Sequence, residues 1–334
     1  MNEGRLRALR LHAQLLTGRR AAGVEAVVER VVGVQAQDLA FARLAFRPRC
    51  DARAVGDDVD RALQQRALVW TWAMRGTLHL VRAADAGWLL GLLGPIFAAR
   101  GRRRRLALGL DDALCERALE VLRDVLAADG PQTRAALAAR LPIAAEGQAP
   151  AHLLAYAAMR GVVCRRPLGA REPTYVLLED WLGTPLPAAD DERALAELGR
   201  RYLAGHGPAT AEDLAAWSGI GLRRARRALA GADRSAPDRL PEARRPQVAL
   251  LGHFDPYLLG YASRDLVLDP RLAKRIGSGG GFVRPAVLVD GRVVGTWRRD
   301  RGKWLEPFEP LDDEVLAALE RERADVGRFL SAAR

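Results

Sequence analysis

The fold class follows from one stretch of the sequence, LVWTWAMRGTLHLV at residues 68–81. Two runs of apolar, β-branched and aromatic residues, Leu68–Ala73 and Thr77–Val81, flank a Met-Arg-Gly turn and predict a β-hairpin. Upstream of it, apolar residues with helical spacing predict four short helices, over Arg5–Leu16, 24–32, Leu39–Phe46 and 57–66. Several short helices followed by a two-stranded ribbon are typical of a winged helix-turn-helix.

The same arrangement recurs downstream. The turn Gly-Pro-x-Thr occurs at Gly130–Thr133 and again at Gly207–Thr210, and each copy precedes a predicted alanine- and leucine-rich helix. Two copies of one turn motif favour tandem winged helices. After about residue 246 the pattern becomes rich in strands, with an Asp290-Gly291 hairpin turn, and a helix is predicted over Leu311–Leu330.

The predicted fold is therefore mainly α with β structure: three tandem winged helix-turn-helix motifs followed by a C-terminal β-barrel-like domain. The expected strands of the last domain are Val248–Leu251, Ala286–Val289 and Arg292–Trp297. The expected divisions are a first winged helix at 1–110, a second at 111–185, a third at 190–245 and the β-rich domain with its C-terminal helix at 246–334. Pro185–Asp191 is the best candidate for a linker.

The charge balance favours a polyanionic partner. The 334 residues contain 52 Lys and Arg against 41 Asp and Glu, a formal net charge of +11. Only two of the cations are lysines, Lys274 and Lys303, so nearly all of the positive charge is arginine. Basic proteins gain affinity for nucleic acids because neutralised phosphates release their counterions.

Several other protein classes are excluded by the composition. No apolar run reaches the length needed to span a bilayer, and the N-terminus lacks the apolar region of a signal peptide. The three isolated cysteines (Cys50, Cys115 and Cys164) form no disulfide framework and suit a reducing compartment. The sequence predicts a cytoplasmic protein that does not bind membranes.

Common catalytic signatures are also missing. Five scattered histidines show no metal-ligand spacing, and no GxSxG elbow occurs. The glycine-rich run Gly277–Gly281 lacks the Lys-Ser/Thr of a phosphate-binding loop, so we interpret it as a surface loop. The sequence therefore predicts neither a metal nor a cofactor.

The segment GVQAQD at residues 33–38 is unusual. We expect Gly33 to stop the helix before it, Asp38 to cap the helix after it, and the residues between them to be extended. Alternation along an extended chain would place Gln35 and Gln37 on one side and Ala36 on the other. Two neighbouring carboxamides can hold a water or a polar substrate atom, or they can instead satisfy nearby backbone groups.

Four ordered blocks of the sequence carry a resemblance that covers essentially the whole chain. They are Gln35-Ala36-Gln37, Arg75–Val81, Tyr202-Leu203 through Thr210–Ala215, and Phe254–Tyr261. The chain resembles the AlkZ-type winged-helix DNA glycosylases, a bacterial family. The first block matches the Gln-aliphatic-Gln catalytic motif of the AlkZ-like branch, whereas the YcaQ-like branch has Gln-x-Asp. The resemblance implies three tandem winged helices, a β-barrel and a hairpin that probes the minor groove.

The implied activity is excision of an alkylated base. A neutral amide is a poor general base, and it suffices only where the leaving base is already cationic, as in N7-alkylguanine or N3-alkyladenine. Gln35 and Gln37 would hold the attacking water, and bulky or crosslinked purines would be included. Asp38 is a rival base, and His79, Asp255 and Tyr257 are accessory candidates that either line the cleft or have structural roles.

The lysine count predicts the outcome of the reaction. A glycosylase with lyase activity forms a Schiff base through an amine, and both lysines are remote in sequence from the glutamines. We therefore predict a monofunctional enzyme that leaves an abasic site.

The expected partner is double-stranded DNA with alkylated purines, bound by a monomeric, nucleoid-associated protein, since no long coiled-coil stripe is present. Its phosphates would be contacted by arginines, unless these merely form solvated faces. The candidates are Arg102, Arg103, Arg104, Arg105, Arg223, Arg224, Arg226, Arg227, Arg264 and Arg284.

Two other functions fit part of the same sequence. A non-catalytic winged-helix DNA-binding protein, such as a transcriptional regulator, would share the tandem motifs and the charge. A family member that binds lesions without cutting them would be consistent with the small Ala36 at the aliphatic position of the motif.

Overall fold

The computed structural model describes residues 1–144, 146–168, 171–186, 190–233, 235, 237, 239–240, 246–277, 279, 281–299 and 302–331. The chain divides into two compact units that are not consecutive along the sequence. The first unit comprises Met1–Arg61 and Ala196–Arg334, and the second comprises Ala62–Leu195.

Helices dominate the described residues. They are α1 (Glu3–Ala13), α2 (Val24–Val31), α3 (Leu39–Phe46), α4 (Asp57–Gln64), α5 (Ala83–Ala107), α6 (Asp112–Asp129), α7 (Arg134–Ala138), α8 (Ala149–Met159), α9 (Leu178–Leu182), α10 (Asp191–His206), α11 (Ala211–Ser218), α12 (Leu222–Ala228), α13 (Pro256–Leu259), α14 (Ala273–Ile276) and α15 (Asp313–Ser331). None of these helices combines the length and the apolar character that a membrane span requires.

The strands are shorter. They are β1 (Val34–Gln35), β2 (Leu68–Trp72), β3 (Leu78–Arg82), β4 (Gln132–Thr133), β5 (Val163–Leu168), β6 (Arg171–Leu177), β7 (Val248–Leu251), β8 (Ala286–Val289), β9 (Arg292–Trp297) and β10 (Leu305–Pro307).

The second unit contains the predicted hairpin at residues 68–81. β2 and β3 pair antiparallel, with Trp72 opposite Leu78 and a 3-10 turn over Met74–Gly76. The strands of this unit follow the order β3-β2-β5-β6-β4. The core of the unit lies between α6 and α8, where Leu119, Leu122 and Leu153 are buried.

One glycine allows two helices of this unit to approach closely. A Cβ added at Gly94 in α5 would lie 2.0 Å from the carbonyl oxygen of Met159 at the end of α8. No side chain fits at that distance, so glycine is required there. The backbones of α5 and α8 therefore come into direct contact at Gly94.

The first unit contains the predicted strands of the C-terminal region. β10-β9-β8-β7 form an antiparallel sheet in that order, and Asp290 and Gly291 make the tight turn with φ of 47° and 78°. Neighbouring residues of β7 face different clusters: Leu250 packs with α15, and Leu251 packs with α13. The sheet is thus buried on both faces.

Two expectations for this region need correction. The described strands form an open sheet with β10 and β7 at its edges, so no closed barrel is found among the described residues. The end of α2 also differs, because Val32, and not Gly33, adopts a positive φ of 69°. A β-branched residue is strained in that region, and here it is fully buried, so tertiary packing compensates for the strain.

Two other expectations fall partly outside the described residues. Within the linker candidate Pro185–Asp191, residues 187–189 are not described, and α10 begins at Asp191. Within the glycine-rich run Gly277–Gly281, residues 278 and 280 are not described. The linker and the surface loop remain predictions.

Candidate active site

The two glutamines lie between α2 and α3 in the first unit, and they differ in exposure. Gln35 ends β1 and is 9% exposed, Ala36 is fully buried, and Gln37 is exposed. The inward packing of Ala36 is confirmed. That Gln35 and Gln37 present their carboxamides to one side stays a prediction.

Asp38 caps the following helix, as the sequence predicts. Its backbone is extended at φ −136° and ψ 130°, and its carboxylate accepts a hydrogen bond of 2.7 Å from the backbone N–H of Ala40. This satisfies one of the free N–H groups at the start of α3. α3 therefore begins at Leu39, directly after the Gln-Ala-Gln-Asp segment.

A buried ion pair holds the chain just after α3. The guanidinium of Arg49 donates to both oxygens of Asp255, at 2.7 and 2.8 Å, and both side chains are fully buried. Arg49 also donates to Gln14 Oε1 at 3.0 Å and to the carbonyl of Ala45 at 2.7 Å. Because both carboxylate oxygens of Asp255 accept hydrogen bonds from the Arg49 guanidinium, Asp255 has a structural role.

Tyr257 is part of the same support. It is fully buried, its backbone N–H donates to Asp255 at 2.9 Å, and its hydroxyl donates to the carbonyl of Gly291 at 3.0 Å. Arg47 adds a second anchor, because it donates to Glu322 at 2.6 Å and to Asp325 at 2.9 Å on α15. The C-terminal end of α3 is thus tied to several parts of the unit.

His79 lies in β3 of the second unit and is 2% exposed. Its Nδ1 lies 2.8 Å from the carbonyl oxygen of Thr77, which satisfies one ring nitrogen. Burial, with the charge of Arg75, lowers the pKa of His79 to about 3. The imidazole is therefore neutral at pH 7.

A second buried histidine makes the stability of the protein depend on pH. Burial lowers the pKa of His206 to about 3, whereas an unfolded histidine titrates near 6.5. Between these values the unfolded chain binds more protons, so stability rises with pH. Acidification from pH 7 to pH 5 should cost about 2 kcal/mol for each such histidine.

Urea unfolding at both pH values checks this expectation. His206→Phe keeps a ring between Tyr202 and Trp217, whose centroids lie 4.8 and 5.2 Å from the imidazole, and it removes the titrating group. The variant should lose about 2 kcal/mol less than the wild type on acidification. An unchanged pH dependence would contradict the assignment.

The arginine candidates are distributed over both units. Arg102, Arg103 and Arg104 are exposed on α5, and Arg102 pairs with Asp112 at 2.7 Å. Arg105 differs from its neighbours: it is 5% exposed, donates to the carbonyl of Ala98 at 2.8 Å and lies over the ring of Tyr156 at 4.2 Å. Arg105 is therefore buried and does not belong to a solvated basic face.

The remaining candidates belong to the first unit. On α12, Arg223, Arg226 and Arg227 are exposed and Arg224 is half-buried. Arg264 is half-buried, and its Nε donates to the carbonyl of Leu258 at 2.7 Å, whereas Arg284 is exposed.

Sequence reasoning missed a cavity of about 340 Å³ beside α3. We call it the aromatic cavity, lined by Phe41, Leu44, His253, Phe282, Arg284, Pro285, Thr296, Trp297, Arg298, Arg299, Lys303, Trp304 and Glu306. Its residues come from separate segments of the chain, so no local motif identifies it. Lys303 is remote in sequence from the glutamines. In the structure it lines this cavity together with Phe41 and Leu44 of α3, the helix that follows the glutamines.

The described residues contain no group of three or more His, Cys, Asp or Glu side chains that could hold a metal ion.

Comparisons with known proteins agree with one another. A family model described as DNA glycosylase AlkZ-like matches residues 28–329. An "Interstrand DNA cross-link repair glycosylase" from Streptomyces sahachiroi is 30% identical over 362 aligned residues, which cover 98% of this chain and 96% of the relative. The solved structure of Streptomyces sahachiroi DNA glycosylase AlkZ matches with a TM-score of 0.82 at 26% identity, covering 98% and 96% of the two chains. The chain therefore belongs to the AlkZ-like DNA glycosylase family and is a DNA glycosylase.

Proposed function

We propose that the enzyme hydrolyses the N-glycosidic bond of cationic alkylpurines in double-stranded DNA, including N7-alkylguanine, N3-alkyladenine and interstrand crosslinks. The observation that carries this proposal is the exposed residue Gln37, which lies between the fully buried Ala36 and the capped start of α3. The related enzyme from Streptomyces sahachiroi, named for interstrand crosslink repair, supports the same substrate class.

The reaction matches what two amides can do. The bond between C1′ and the purine nitrogen breaks, the base leaves with the bonding electrons, and its positive charge is neutralised. Water adds to C1′ and loses a proton to solvent. The carbonyl oxygens of Gln35 and Gln37 accept hydrogen bonds from this water and direct their dipoles toward the developing sugar cation. Asp38 supports the site as the helix cap.

DNA would be bound by helix-turn-helix elements and one hairpin. α11 and α12 form the third such element, with Arg223, Arg226 and Arg227 reaching phosphates. Of the two hairpins in the β7–β10 sheet, the one closed by Asp290 and Gly291 is packed, because Gly291 is buried. The β9–β10 hairpin carries the exposed cations Arg298, Arg299 and Lys303, so it is the better candidate for the minor groove.

The test is release of 7-methylguanine from a defined duplex, with and without borohydride. We expect release of the free base and no trapped covalent complex, because a monofunctional enzyme forms no Schiff base. A Lys303→Gln variant should show the same product. A borohydride-trapped complex that disappears in Lys303→Gln would overturn the monofunctional assignment. DNA binding without release across alkylated substrates would favour the regulator or the non-cutting lesion binder.

A further inference from the structure

Exposed aromatic rings form one wall of the aromatic cavity. Phe41 and Phe282 are each 37% exposed, and they are the only aromatic residues among the exposed large apolar side chains of the described structure. His253 lies between them, with ring centroids 4.1 Å from Phe41 and 4.9 Å from Phe282. Phe254 meets Phe282 edge-on at 5.2 Å. These rings are tilted against one another, by 39° for Phe41 and His253 and by 56° for His253 and Phe282, so each exposed phenylalanine offers its own face for stacking.

The rest of the lining is strongly cationic. Arg284, Arg298, Arg299 and Lys303 are all exposed around the cavity. Its carboxylate, Glu306, is partly neutralised by an ion pair of 2.9 Å with Arg275. Aromatic platforms surrounded by cations are suited to a planar ring attached to a phosphate backbone.

The cavity lies against α3, the helix that follows the glutamine segment. Phe41 lies three residues after the cap Asp38, about 5 Å along the axis of α3. The carboxylate of Asp38 is close enough to His253 to act on its pKa, although burial dominates and lowers that pKa. A neutral imidazole extends the stacking surface without adding a buried charge. A ring in this cavity would therefore lie near the start of α3, the helix that follows Gln37.

We propose that the aromatic cavity binds a flat aromatic ring carried on the DNA, next to the base being excised. This site rests on the proposed glycosylase function and extends it to substrate selection. Two sources supply such a ring: an aryl arm of a bulky adduct and an unstacked nucleobase of the lesion-containing duplex.

The first arm of the test compares 7-benzylguanine and 7-methylguanine in the same duplex. For the wild type, we expect kcat/KM for 7-benzylguanine to be about ten times kcat/KM for 7-methylguanine. This ratio is the effect expected from one stacked ring. Phe41→Leu and Phe282→Leu keep apolar volume but remove the flat ring, and they should bring the ratio close to one. Leu316→Ala, with the same 37% exposure on α15, should leave the ratio unchanged.

The second arm detects a nucleobase in the cavity. A 2-aminopurine opposite 7-methylguanine brightens when it leaves the duplex stack and is quenched again on a protein aromatic ring. The two phenylalanine variants should fluoresce more brightly than the wild type when bound, because the unstacked base then lacks the quenching ring. A benzyl preference that the phenylalanine variants lose identifies an aryl adduct arm as the ring, and brighter fluorescence of these variants identifies a nucleobase.

The proposal is overturned if the phenylalanine variants match the wild type in both arms while melting at the wild-type temperature. Failure of the glycosylase function gives a different result, since the wild type would then release neither base. The fluorescence arm would still report whether a ring enters the cavity.

Discussion

Replacing Gln37 by alanine is expected to lower the release of 7-methylguanine by about 100-fold or more, the usual cost of removing a positioned catalytic group. Single-turnover release from a defined duplex measures this loss. The side chain is exposed, so the free energy of unfolding should change by less than about 0.5 kcal/mol. A large loss of activity without a loss of stability separates chemistry from folding.

Gln35→Ala should also reduce release, but with a measurable loss of stability, because Gln35 is only 9% exposed. Gln65→Ala, at an exposed glutamine of the second unit, is the matched control and should behave as the wild type. Wild-type rates for both Gln35→Ala and Gln37→Ala would mean that the carboxamides only satisfy backbone groups, and the proposed mechanism would then be wrong.

Asp255→Ala is expected to destabilise the protein by about 3–5 kcal/mol, because it leaves the fully buried guanidinium of Arg49 without its counter-charge. Urea unfolding at pH 7 measures this change. Arg49 lies just after α3, the helix that follows the glutamine segment. The release of 7-methylguanine should therefore also fall, although Arg49 and Asp255 are both fully buried.

A double-mutant cycle tests the cause. Arg49→Met with Asp255→Leu replaces the pair by apolar groups and should be less destabilised than the sum of the single variants. Additive losses would show that the two charges do not act as a pair. A fully stable Asp255→Ala would contradict the structural role.

Local patterns were sufficient for most elements. The Asp38 cap, the hairpin of β2 and β3, and the strands Val248–Leu251, Ala286–Val289 and Arg292–Trp297 all occur where the sequence predicts them. Each depends on residues close together in the chain, such as the Asp290-Gly291 turn. The Gln-Ala-Gln segment was identified from the helix stop before it and the Asp38 cap after it, and alternation along an extended chain predicted that Ala36 packs inward.

Other features depend on contacts that sequence spacing does not reveal. A glycine after α2 predicts a helix stop at Gly33, yet packing places the positive φ at Val32. A run of four arginines predicts one basic face, yet the ring of Tyr156 and the carbonyl of Ala98 hold Arg105 inside. Both outcomes depend on residues that approach only when the chain folds.

The sequence by itself determined most of the longer helices and strands, the basic charge and the glutamine pair, because capping, turn chemistry and hydrophobic period act over a few residues. Only the tertiary structure decided that Asp255 neutralises Arg49 across 206 positions and that Phe41, His253 and Phe282 meet in one cavity. Burial and ion pairing depend on distance in space, and folding brings remote side chains together without a local signal.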